Sequence, residues 1–216
     1  MGKSMQEIYK KVIVCERCPR LVKYRKHIEF GWRKPITGFG DLNARLIIIG
    51  PAPSLHGGNR TGRVFTGDKS GDFLFKALYE AGFSNSMKSV SVWDGLKLKD
   101  CYITDVVKCP PPDNKPLNTE IENCSEYINS ELDLLKKKKV ILALGKIAFD
   151  GVKSYLSSKG IDMKEIKFKH KFNYKFGDLF LFSSLHLIKS IEVRDKLEYN
   201  EFVNLLLFIK ANYLQD

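Results

Sequence analysis

Four short, almost wholly apolar runs set the limits on what this chain can fold into: residues 45–50 (RLIIIG), 102–107 (YITDVV), 140–144 (VILAL) and 179–183 (LFLFS). None alternates apolar with polar residues, as a strand with one wet face would. Continuous apolar runs of this length suit strands buried on both faces of a parallel sheet. Between them lie helical patterns at 72–80, 118–135, 146–156 and 195–213, with a short one at 5–14 leading into Cys15. The 118–135 segment opens with the cap-like Asn118-Thr119-Glu120 and continues as an amphipathic stretch. Strand–helix alternation predicts an α/β fold with helices on both faces of the sheet. No repeat or low-complexity linker divides the chain, so residues 1–216 are expected to form one domain. In open sheets of this kind ligands bind at the carboxyl ends of the strands. The informative segments follow the first, second and fourth runs, which places them around one cleft.

At 216 residues the chain buries roughly 70% of the surface its unfolded form exposes, so it reaches a sufficient core without disulfides. A hydrophobic fraction of 44% excludes a disordered or collagen-like chain. No run approaches the ~18 apolar residues of a membrane span, and the first nine residues hold no apolar signal-peptide stretch. A soluble, cytoplasmic protein is expected, acting as a monomer without a membrane partner. Lys and Arg exceed Asp and Glu by 36 to 25, leaving a formal charge of +11. That surplus suits a polyanion, most simply nucleic acid. A solubilising lysine surface would explain it as well, since Lys136–Lys139 sit at a helix end that favours cations through the helix dipole.

The cysteines narrow the chemistry. Cys15-Glu16-Arg17-Cys18 is a C-x-x-C pair, and Cys109 and Cys124 form a second pair with 14 residues between them. Four thiolates in two pairs suit a tetrahedral zinc or a cubane iron–sulfur cluster. Either would tie the N-terminal segment to the middle of the sheet. Cys101 has no partner spacing and reads as a core residue.

After the first strand comes Gly50-Pro51-Ala52-Pro53-Ser54-Leu55-His56-Gly57-Gly58-Asn59-Arg60-Thr61-Gly62-Arg63-Val64-Phe65-Thr66-Gly67-Asp68. Five glycines let backbone N–H groups approach a ligand closely, Asn59, Arg60, Thr61 and Arg63 add donors, and Phe65 adds a flat apolar face. The combination suits a planar, polar, aromatic ligand beside a phosphate. It is neither a G-x-G-x-x-G dinucleotide fingerprint nor a P-loop.

This loop closely resembles the first motif of the family 5, or type B, uracil-DNA glycosylases, in the iron–sulfur branch of the uracil-DNA glycosylase superfamily. Trp32 and Gly38-Phe39-Gly40-Asp41 resemble the family's lead-in, 105–116 (DVVKCPPPDNKP) its second block and 143–149 (ALGKIAF) its third. The resemblance implies a three-layer α/β/α sandwich around a central, mainly parallel four-stranded sheet. It also implies a [4Fe–4S] cluster on Cys15, Cys18, Cys109 and Cys124, and it decides between cluster and zinc. The implied activity is monofunctional base-excision DNA repair. Such an enzyme hydrolyses the N-glycosidic bond of uracil, hypoxanthine or xanthine in duplex or single-stranded DNA and leaves an abasic site.

Specific roles follow from the resemblance. Phe65 matches the base-stacking phenylalanine, with Gly50, Pro51, Ala52 and Asn59 expected at the base. Other superfamily members carry a carboxylate or amide where this chain has Ala52. Asp68 is then the nearest catalytic carboxylate, and it suits a helix N-cap equally well. His186 matches the catalytic histidine, a donor to the negative charge on the departing base. Arg60 and Arg63 are expected at the DNA. Two departures stand out: the family's His-Pro-Ser with a following Asn reads His186-Leu187-Ile188 with Ile191, and its F-x-H-G reads Phe168-Lys169-His170-Lys171. Leu187 and Ile188 are expected to wedge between bases, and Lys189 and Arg194 to contact phosphates. The altered loop keeps a second reading open, a DNA-binding paralogue with reduced or lost turnover.

Overall fold

The structure, a computed structural model, describes residues 4–187 and 198–215. In chain order its elements are α1 (Met5–Ile13), α2 (Pro19–His27), β1 (Phe39–Gly40), β2 (Leu46–Gly50), α3 (Gly58–Thr61), α4 (Lys69–Glu80) and β3 (Cys101–Asp105). There follow α5 (Asn118–Leu134), β4 (Val140–Leu144), α6 (Lys146–Ser158), β5 (Phe172–Phe176), β6 (Leu179–Ser184) and α7 (Tyr199–Tyr213), with a 3₁₀ turn at Pro112–Asn114 before α5.

Among the described residues the sheet has six strands, in the order β1-β3-β2-β4-β6-β5. Its centre is the expected parallel set of four, β3-β2-β4-β6. Beyond expectation, β1 and β5 pair antiparallel on the two edges. Neither carried an apolar run: β1 has two residues, and β5 is half exposed with Asn173 and Lys175 in it. The short α3 inside the glycine-rich loop was unforeseen as well, and so was α2, whose start is marked by Pro19 and whose end by Arg25, Lys26 and His27.

Strand alternation divides the core. Leu46 and Ile48 of β2, with Val140, Leu142 and Leu144 of β4, pack with α4 and α7. Ile47 and Ile49, with Ile141 and Ala143, pack with α1, α5 and α6. Every residue of β2, β3 and β4 is buried, which is why these runs lack a polar face. Cys101 opens β3 and is fully buried, as a core residue. One buried polar cluster crosses the second layer: Lys108 Nζ donates to Glu131 Oε2 at 2.7 Å and to Thr104 Oγ1, which itself donates to Glu131. A buried cation of this kind stays only because its partner is in place.

The element ends follow local chemistry. α1 is capped by Ser4 and Glu7, each bonding the other's backbone. In α5, Glu120 reaches back to the Leu117 amide at 2.8 Å. The last helix begins at Tyr199; residues 195–197 of the expected 195–213 helix lie outside the described residues. Lys171, where the family has glycine, takes a left-handed φ of +56°. A lysine there carries a steric cost that glycine does not. Its Nζ meets Glu201 at 2.7 Å, an exposed contact of small worth.

Candidate active site

A cavity of about 600 Å³ opens at the carboxyl ends of β2, β4 and β6. Its walls include Pro51, Ala52, Ser54, Asp68, Asn114 and His186. A recess of about 40 Å³ shares Ala52, Ser54, Asp68 and His186 with it and adds Phe65 and Asp105. The parallel register brings these residues together, since Gly50 ends β2 directly beside Asp105 at the end of β3.

Phe65 sits in the recess because the loop folds back under it. Its φ is +50°, and a Cβ on Gly71 would lie 1.9 Å from the Phe65 carbonyl oxygen. Only a glycine in the first turn of α4 permits that approach. The ring is buried and faces His186, with centroids 6.4 Å apart and planes inclined by 28°. A Cβ on Gly50 would stand 2.6 Å from the Phe65 ring edge and 2.3 Å from Asp105 Oδ1.

Asp68 is the N-cap of α4: its Oδ1 accepts from the Gly71 amide at 2.9 Å. Its other oxygen accepts from the Ser54 hydroxyl, and Ser54 Oγ accepts from the Gly57 amide at 2.9 Å. The cap therefore also fixes the loop, and the same carboxylate lines both cavity and recess. The N-cap of α6, Gly145, and its first residues, Lys146 and Ile147, line the cavity as well, and no side chain caps that helix. Two helix N-termini thus meet at one cavity, an arrangement that favours negative charge.

Other expected site residues lie elsewhere. Asn59 is fully buried; its Oδ1 accepts from the Arg33 amide at 3.1 Å and its Nδ2 donates to the Phe30 carbonyl at 3.4 Å. It braces the loop and does not line the cavity. Arg63 is 5% exposed, forms a two-pronged pair with Asp94 at 2.9 and 3.0 Å, and lies over the Phe39 ring. The Arg63 guanidinium and three backbone amides hold the Asp94 carboxyl well below the usual range, against the opposing effect of burial. Arg63 is therefore a buried brace, not a surface DNA contact. Arg60 is exposed, with its guanidinium turned to the His56 and Gly67 carbonyls. Leu187 is buried in the core beside α7 and is not an exposed wedge. Ile188, Lys189 and Arg194 lie outside the described residues. Sequence reasoning missed Asp105, Asn114, Lys69 and Lys146 in these walls. One signal was present: Asp105 is an acid inside the otherwise apolar run YITDVV.

The four paired cysteines lie on the opposite face of the sheet from α4 and α7. Cys18, Cys109 and Cys124 are buried in the core with α1 and α5, and Cys15 packs against it. Burial pushes the Cys109 thiol up to about 12 and the Cys124 thiol to about 11, with each raised further by the neighbouring cysteines. Arg20 pins this segment to α5 through Glu120, at 2.7 and 2.8 Å. Arg25 donates to the Cys15 carbonyl at 2.7 Å. Among the described residues no three His, Cys, Asp or Glu side chains gather as around a single metal ion. Four cysteines free of disulfides, three of them buried, are a donor set fit for a thiolate-held group.

The family model described as the uracil DNA glycosylase superfamily matches residues 37–204. This chain belongs to that superfamily. A type-5 uracil-DNA glycosylase of Thermus thermophilus is 37% identical over 91% of this chain and 92% of its own. One from Pyrobaculum aerophilum is 44% identical over 68% and 69% of the two chains. A type-4 uracil-DNA glycosylase of the same organism is 29% identical over 77% and 73%. The superfamily match spans the loop, Asp105, Asn114 and His186, together with Cys109 and Cys124; Cys15 and Cys18 precede it. No described helix is long and apolar enough to cross a membrane.

The Arg63–Asp94 pair yields a direct test. Arg63→Gln strands a mostly buried carboxylate, so denaturant unfolding is expected to show a loss of about 3–5 kcal/mol. The salt dependence of duplex DNA binding should keep its slope, because no phosphate contact is removed. A slope lowered by about one contact without loss of stability would return Arg63 to the DNA surface.

Proposed function

We propose that this chain is a monofunctional DNA glycosylase that removes uracil, and other deaminated bases such as hypoxanthine or xanthine, leaving an abasic site. It would act as a single domain, 1–216, as a cytoplasmic monomer on duplex or single-stranded DNA. The observation that carries the reading is the recess in which the Phe65 and His186 rings face each other at the strand ends. Superfamily membership and the names of the relatives support it.

The chemistry follows from the walls. A base must leave the stack to be reached, and the 600 Å³ cavity has room for it. Phe65 supplies the face on which the base rests, with the backbone of Gly50, Pro51 and Ala52 at its edge. As the glycosidic bond breaks, negative charge builds on the base and positive charge on the sugar. His186 stabilises the first by donating a hydrogen bond, aided by the amides that open α6. Asp68, fixed by Ser54 and Gly71, stabilises the second and orients the attacking water. Lys69 and Lys146 on the cavity wall and Arg60 nearby suit the flanking phosphates, with Lys189 and Arg194 as further candidates and Ile188 as the remaining wedge candidate.

Cys15, Cys18, Cys109 and Cys124 would hold a [4Fe–4S] cluster, which supplies a thiolate-bound tie between the N-terminal segment and α5. The hydrolysis itself transfers no electron, so the cluster's contribution would be to hold the fold.

One observation favours the second reading, a DNA-binding paralogue with reduced turnover: Leu187 is packed in the core and presents no wedge. Single-turnover cleavage of oligonucleotides carrying uracil, hypoxanthine or xanthine separates the two. Excision of uracil that falls about 10²-fold in His186→Ala is expected. Base-specific binding with no excision would leave the paralogue. For the cluster, anaerobically purified protein should be brown with about four irons per chain, and Cys101→Ser should stay brown. A colourless protein with one zinc would contradict it.

A further inference from the structure

Among the described residues, Asp105 is the one carboxylate in the recess that neither the cap nor the fold uses. It is 1% exposed, and its Oδ1 has no hydrogen-bond partner. Asp68, beside it in the recess, already accepts one hydrogen bond on each oxygen, from Gly71 and Ser54. A buried oxygen without a partner is costly, and such atoms in native proteins call for an explanation. Here the oxygen borders the space where the base is proposed to lie. It stands 2.3 Å from where a Gly50 Cβ would be, next to the Phe65 ring edge, in a recess completed by Ala52 and His186.

We infer that Asp105 holds the hydrogen-bonding edge of the extruded base, presenting it with a carboxylic acid's O–H and C=O side by side. The inference rests on the glycosylase reading. A neutral carboxyl offers one donor next to one acceptor. A lactam edge, with ring N–H beside C=O as in uracil and hypoxanthine, offers the complement, so two parallel hydrogen bonds form in one ring. The surroundings favour the neutral form. Burial pushes Asp105 up to about 7; Lys108 opposes this, while Asp68 and Glu131 add to it. Among the described residues, Asp68 and His186 are the other titratable groups on the recess. Ionised, the carboxylate still accepts from the base N–H but faces the base carbonyl oxygen without a proton. Hold on the base therefore weakens as pH rises through the raised value and is complete below it.

The test uses the full chain and two duplexes. One carries 2′-fluoro-2′-deoxyuridine, whose glycosidic bond resists hydrolysis; the other carries a tetrahydrofuran abasic analogue at the same place. The ratio of the two affinities reads the contact to the base and cancels the phosphate contacts. Between about pH 6 and about pH 8.5 the wild-type ratio is expected to fall roughly tenfold or more in favour of the abasic duplex. Asp105→Asn, which keeps a donor and an acceptor at every pH, should hold the ratio flat and high. Asp105→Ala should lower it throughout while abasic-duplex affinity reports an intact fold. A wild-type ratio that does not change with pH overturns the inference. So does a fall that persists in Asp105→Asn, which would assign the titration to His186. Because neither duplex need be cleaved, absence of uracil excision with the expected ratios would sink the glycosylase reading and leave Asp105 as a base-binding group.

Discussion

At Gly50 three parts of the molecule meet in a space that any side chain would fill. The last residue of β2 lies beside Asp105 of β3, and the Phe65 ring from the returning loop covers both. A single methyl group there would approach the ring to 2.6 Å and the carboxyl oxygen to 2.3 Å. The recess exists because β2 ends in a residue without a side chain, and the proposed base-binding face depends on it. Around that point the four parallel strands act as a frame, since their common register delivers Gly50, Asp105, Leu144 and the approach to His186 to one end.

The loop that carries Phe65 is held by bonds that look functional in sequence and turn out to be supports. Arg63 and Asp94 clamp its far side, Asn59 ties it to the Phe30 and Arg33 backbone, and Asp68 joins its two ends through Ser54 and the α4 cap. A pocket that must grip a planar ligand gains from such rigidity, because misplacement by about 1 Å is expensive for catalysis. On the opposite face the cysteine-bearing segments are joined through Arg20 and Glu120. The N-terminal helices are thereby fastened to the sheet from behind.

The four central strands were legible because burial on both faces removes the alternating polar residues of a half-wet strand, leaving nearly continuous apolar runs with polar residues only toward their ends. The edges were not, because β1 is two residues long and β5 is half exposed with polar residues among its aromatics. In the site, Phe65, Asp68 and His186 were legible through their motifs, and the structure gathers them on one recess. The errors have one physical source. Arg63 and Asn59 have donors that could serve a ligand or the loop, and only partners distant in sequence, such as Asp94 and Phe30, decide which. Leu187 could wedge or pack, and the core beside α7 takes it. Asp105 went unassigned because a carboxylate inside an apolar run gives no local hint of the cavity that β2 and the loop build around it.

The gap at Gly50 is what makes room for the proposed base pocket. Single-turnover excision of uracil by Gly50→Ala, set against wild type at matched iron content and matched affinity for undamaged duplex, tests it most directly. The added methyl group displaces Phe65 and Asp105, and a loss of about 10²-fold or more in the rate is expected, the scale of a 1 Å misplacement. Excision at the wild-type rate by a correctly folded Gly50→Ala protein would contradict the account and move the base-holding surface elsewhere in the cavity.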